Sequence, residues 1–111
     1  MDLHKLVHLF HVLVVGILFL FVGINREKTN QYLLRFLLYL GILIIVYHLY
    51  KMYNYLNNGR SYWVNLIHIL FVGPLLIYIG YYGEKTSRKF FELLMMLAFA
   101  SIGYHLYYLF V

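Results

Sequence analysis

With 111 residues, 64% of them hydrophobic and 12% charged, the chain is at most one domain. It is far more apolar than a soluble domain, which is about half apolar and roughly a quarter charged, and lipid is the solvent that suits it. The net charge of +5 sits in loops, without a basic stripe carrying interleaved aromatics; this argues against nucleic acid and for anionic headgroups, while the lack of cysteine excludes disulfide and thiolate chemistry.

Four long uncharged stretches follow along the chain. Twenty uncharged residues separate Lys5 from Arg26, 15 separate Arg35 from Lys51, 23 separate Arg60 from Glu84, and 19 follow Glu92. A spanning helix needs about 20 mostly apolar residues. The first, third and fourth stretches qualify directly, and the second qualifies if Arg35 snorkels to the interface. The spacing predicts an all-α, four-span membrane bundle with transmembrane helices over about 4–24, 32–53, 62–82 and 90–110. Strands do not fit, because runs such as Leu40–Val46 lack a period of two. The first stretch is too long for a removable signal and has no small-residue cleavage site. Hairpin loops fall at Asn25–Gln31 and Tyr82–Arg88, with Thr29 or Asn30 and Thr86 or Ser87 as helix caps. A linker over 54–61 holds the turn signal Asn57-Asn58-Gly59. Tyrosines such as Tyr47, Tyr50, Tyr104 and Tyr107 cluster at segment ends, where amphipathic rings anchor helices at headgroups.

The sequence also repeats. Offset by 57 residues, 18 of the 44 positions from Val7 to Tyr50 are identical to their counterparts, without a gap. They include His11/His68, Gly16/Gly73, Gly23/Gly80, the run Glu27-Lys28-Thr29 against Glu84-Lys85-Thr86, and Tyr47-His48-Leu49-Tyr50 against Tyr104-His105-Leu106-Tyr107. Apolar matches come cheaply in membrane segments, but these polar and glycine matches do not. They indicate a tandem duplication of one helical hairpin, repeat 1 over 1–53 and repeat 2 over 62–111. Two spans per repeat insert both copies the same way, related by a pseudo-twofold along the membrane normal. Six Lys and Arg near the hairpin loops (Arg26, Lys28, Arg35, Lys85, Arg88, Lys89) against Lys5, Lys51 and Arg60 on the other side predict loops inside and both termini outside.

Polar residues on the helices are the candidates for function. His4, His8 and His11 share one face of the first helix, and Ser61, Asn65 and His68 share the equivalent face of the third. Counted from the hairpin loop, His11 stands ~21 Å along the first helix and His48 ~27 Å along the second. One layer could therefore hold His11 with His48, and His68 with His105. Such imidazoles could ligate haem, chlorophyll or a metal, or relay protons. The plainer reading is interfacial histidines that hydrogen-bond between helices or to headgroups, at about 0.6 kcal/mol per bond.

Gly16 with Gly23, and Gly73 with Gly80, form small-residue faces suited to close helix packing. Gly73-Pro74 predicts a mid-span kink where the first repeat has Ile17. Arg35 and Glu92 hold equivalent positions with opposite charge and are expected to pair, or else to snorkel separately. No Ser-His-acid set, phosphate-cradling glycine loop or His-Glu-x-x-His pattern occurs, so an enzyme is not expected.

The stretches Ile-His68-Ile-Leu-Phe-Val-Gly73-Pro74 and Gly103-Tyr104-His105-Leu106-Tyr107, with a Tyr-, Phe- and Lys-favouring, alanine-poor composition, resemble uncharacterised small membrane proteins of large DNA viruses of algae and protists. The resemblance implies a viral or virion membrane and brings no activity or ligand residues. The expected function is a non-enzymatic structural or accessory membrane component, with lipid and a homo-oligomer or larger assembly as its partners. The alternative is a ligand- or ion-handling site at His8, His11, His48, Asn65, His68 and His105.

Overall fold

A computed structural model describes residues 2–111. Its elements are all helical, and four are long and apolar enough to cross a membrane: α1 (Leu3–Lys28), α2 (Gln31–Asn57), α3 (Trp63–Lys85) and α4 (Arg88–Phe110), with mean hydropathies of 2.6, 2.0, 1.8 and 1.6 over their best windows. The chain reads as a multi-pass membrane protein.

Helix ends follow local chemistry. Asp2 Oδ1 accepts from the Lys5 amide at 2.8 Å at the start of α1, and Asn30 Oδ1 accepts from the Tyr32 amide at 2.8 Å at the start of α2. Ser87 stands at the N-cap of α4 without a side-chain cap bond. At the far end, α2 runs on to Asn57, past the expected end at 53, because nothing before Asn58-Gly59 breaks it. Gly59 takes φ +66, and the Arg60 amide turns back onto the Tyr55 carbonyl at 2.8 Å. The linker is correspondingly shorter than 54–61.

Both α1 and α3 contain one π-helical turn, His11–Val15 in the first and His68–Val72 in the second. The turns lie 57 residues apart and each begins on a histidine. Pro74 does not cause the irregularity, since α1 has the same turn with Ile17 in that place. Pro74 follows the π turn, at the head of the next regular segment, where its missing N–H matters least. Both helices end in a 3-10 turn, Arg26–Lys28 and Gly83–Lys85, entered through positive φ at Arg26 (+53) and Gly83 (+57).

The compact units are not the two sequence repeats. Among the described residues one unit comprises 2–28 and 87–111, so α1 packs on α4; the other comprises 29–86, so α2 packs on α3. Each unit therefore takes one helix from each repeat.

Inside the units the glycines do what small residues do, but against different neighbours from those in their own hairpin. A Cβ on Gly16 would stand within 3.0 Å of Ile102, and one on Gly73 within 3.0 Å of Ile45. A Cβ on Gly23 would meet Met95, and one on Gly80 would meet Leu38, backbone included. Ile45 and Ile102, and Leu38 and Met95, are again 57 residues apart. Around these contacts Phe19, Val22, Leu34, Leu37, Leu76, Ile79, Phe91, Leu94 and Ala98 are buried. In membranes close backbone approach is the main source of helix association, so these crossings hold each pair together.

Candidate functional site

The π turns place His11 and His68 on the faces that meet α4 and α2. A carbonyl oxygen only accepts, so the short contacts at these residues fix their tautomers. His11 Nδ1–H donates to the Val7 carbonyl at 2.8 Å, and His68 Nδ1–H donates to the Val64 carbonyl at 2.7 Å. In the neutral ring Nε2 then carries the lone pair.

Each of these rings stacks on a histidine from the other repeat. His11 and His105 lie 4.2 Å apart between centroids with 24° between planes; His48 and His68 lie 3.9 Å apart with 16°. A polar group one turn back completes each set. His8 Nδ1 and His105 Nδ1 share a hydrogen bond of 2.8 Å, one ring donating and the other accepting. In the second unit Asn65 stands where His8 stands, and His48 Nδ1–H donates to Asn65 Oδ1 at 2.8 Å. His8 also stacks on Tyr108 at 5.9 Å. His105 and Asn65 are buried, at 9% and 4% exposure, while the other rings are half-buried.

These are two interhelical clasps of one design. Each has a backbone-anchored imidazole, an imidazole stacked on it from the partner helix, and a side-chain acceptor or donor closing the set. The four histidines expected to associate do form two pairs, but the partners are exchanged: His11 meets His105, and His48 meets His68.

The His8–His105 bond requires a lone pair on one Nδ1. Face-stacked rings direct their nitrogens in near-parallel planes, and no group of three or more metal-capable side chains converges among the described residues.

The other candidates fall outside the clasps. Glu92, expected to meet Arg35, accepts from Arg88 Nε at 2.9 Å within its own helix. Arg35 is exposed near the start of α2 and lines a cleft with the end of α3. Pro74 is exposed on α3. Tyr108, which stacks on His8, was not singled out by sequence reasoning; as one interfacial tyrosine among several, it carried no distinguishing signal. Comparison with protein-family models, curated proteins and solved structures finds no match for this chain.

Proposed function

We propose that this is a small, non-enzymatic structural or accessory component of a membrane, in which a histidine clasp and glycine crossings hold the two helices of each pair together. The observation that carries this reading is the twofold use of one clasp. His11 with His105 and His48 with His68 stack at the same level of equivalent helices, each set closed by a 2.8 Å polar contact. In lipid a polar side chain needs a protein partner or water, and here Nδ1 of each of these four rings is engaged within its own unit. The exposed apolar faces are covered by lipid or by further copies. The hairpin loops lie inside and the termini outside, as the lysine and arginine balance favours. The resemblance noted above favours a viral membrane as its setting.

A second reading rests on one specific observation. The His8–His105 contact joins two imidazoles through a single shared proton, the kind of link that relays protons. Nε2 of His11 also carries the ring's lone pair, as an axial haem, chlorophyll or metal ligand requires.

One experiment separates the readings. The detergent-purified protein is assayed for visible absorbance, metal content and liposome proton flux, each with and without His8→Ala and His68→Ala. The structural reading expects a colourless, metal-free protein whose background flux does not change in the variants, while their unfolding midpoints fall. A Soret or chlorin band, stoichiometric metal, or flux abolished by His8→Ala would replace it with the second reading.

A further inference from the structure

The loop end of the α2–α3 unit carries a polar site that the clasps do not use. A cleft of about 440 Å3 opens where α2 begins and α3 ends, lined among others by Gln31, Arg35, Gly80, Gly83, Glu84 and Lys85. A second hollow of about 410 Å3, lined by Asn30, Gln31, Tyr32 and Arg35, shares the same arginine. Both volumes fall in the range of small-ligand sites, roughly 300–1,000 Å3.

Charge in this cleft is unbalanced. Arg35 and Lys85 face one carboxylate, Glu84, leaving one unit of positive charge. Arg35 is exposed and, among the described residues, forms no ion pair, hydrogen bond or ring contact. It sits in the second turn of an apolar helix. An arginine at that depth reaches headgroups rather than bulk water. The turn beside it is open, for nothing lies within 4 Å of the place a Cβ on Gly83 would occupy.

The α1–α4 unit differs at these same positions. Glu92 stands where Arg35 stands and is held by Arg88 at 2.9 Å; Arg26 stands where Gly83 stands. What sets the α2–α3 unit apart is thus an arginine without a carboxylate partner, where the α1–α4 unit has the Arg88–Glu92 pair.

We propose that the α2–α3 cleft binds the phosphodiester headgroup of one anionic phospholipid. Arg35 supplies a planar, two-pronged donor to the phosphate oxygens, and Lys85 supplies a point charge beside it. One phosphodiester charge offsets the single excess positive charge. This inference rests on the helices spanning a membrane and is independent of what the histidines do.

The test is native mass spectrometry of the detergent-purified full chain offered equal phosphatidylglycerol and phosphatidylcholine. Wild type should retain one phosphatidylglycerol, preferred by on the order of tenfold, the worth of about 1.4 kcal/mol. Lys85→Gln should erase most of that preference and Arg35→Glu all of it, whereas Glu92→Gln, outside the cleft, should leave it unchanged. Should Arg35→Glu fail to fold, Lys85→Gln, an exposed loop change, decides the matter. Equal retention of the two lipids by wild type, or a preference that survives Lys85→Gln undiminished, would overturn the proposal. Displacement of the lipid by millimolar inorganic phosphate would also overturn it, because the site would then take soluble phosphate instead.

Discussion

At the end of α1 the chain turns through Arg26 at φ +53; at the end of α3 it turns through Gly83 at φ +57. The α1–α4 and α2–α3 units repeat one another through the π turns, glycine crossings and stacked histidines, yet part company at such points. His8 closes one clasp and Asn65 the other. Glu92 binds Arg88 in one unit, while Arg35 lines an open cleft in the other. The shared contacts show what the architecture requires: close backbone approach and a satisfied set of polar groups. The unshared ones show where each unit is free to specialise, at the clasp's closing residue and at the loop end.

The largest effects should come from the glycines, and they should be unequal. Gly80→Ala and Gly23→Ala set a methyl against the backbone of Leu38 and Met95, which cannot rotate away. Each should lose about 2–3 kcal/mol in chemical unfolding within micelles. Gly16→Ala and Gly73→Ala meet the side chains of Ile102 and Ile45, which can shift, and should lose about 1 kcal/mol. Gly103→Ala meets nothing within 4 Å and should be neutral or gain about 0.5 kcal/mol. Equal losses at all five positions would mean that these crossings do not hold the pairs.

The turn comparison predicts a gain. A non-glycine residue at positive φ with extended ψ costs about 1–3 kcal/mol, so Arg26→Gly should stabilise the protein by about 1 kcal/mol and Gly83→Arg should destabilise it by at least as much. The same unfolding titration reads both, and a loss on Arg26→Gly would show that the arginine side chain contributes more than its backbone strain removes.

Smaller effects should distinguish the clasps. Asn65→Ala, which leaves His48 Nδ1–H without its acceptor, should lose about 0.6–1.7 kcal/mol. His8→Asn turns the first clasp into the second and should change stability by less than that. Unfolding midpoints of wild type, His8→Asn and Asn65→Ala check this, and a loss for His8→Asn as large as that for Asn65→Ala would contradict it. Smallest of all, Glu92→Gln removes an exposed i, i+4 pair and should cost about 0.3–0.5 kcal/mol.

Much of this organisation is legible in the residues. The uncharged runs define the four helices because lipid tolerates few charges, and the 57-residue offset alone marks His11, His48, His68 and His105 as one set. Rise along a helix gives them a common level, but it does not say which neighbour each face meets. The sequence-based expectation therefore joins His11 to His48, within a repeat, whereas the contacts join it to His105. The glycine faces hold the same ambiguity, resolved only by finding Ile102 and Ile45 opposite Gly16 and Gly73. Proline draws attention to residue 74, but the irregular turn starts at His68 and recurs at His11 without any proline. A π turn adds one residue to a helical cycle and leaves no signature in composition. The equivalence of Arg35 and Glu92 is plain from the offset; that Glu92 binds Arg88 depends on an i, i+4 partner in its own helix.

Cysteine cross-linking reads the exchanged pairing most directly, since the chain has no cysteine of its own. Oxidation of the double variants His11→Cys/His105→Cys and His48→Cys/His68→Cys in lipid should give intramolecular disulfides in high yield, at equal rates in both units. Failure of both pairs in folded protein, or preferential bridging of cysteines at 11 with 48 and at 68 with 105, would contradict the pairing of α1 with α4 and α2 with α3.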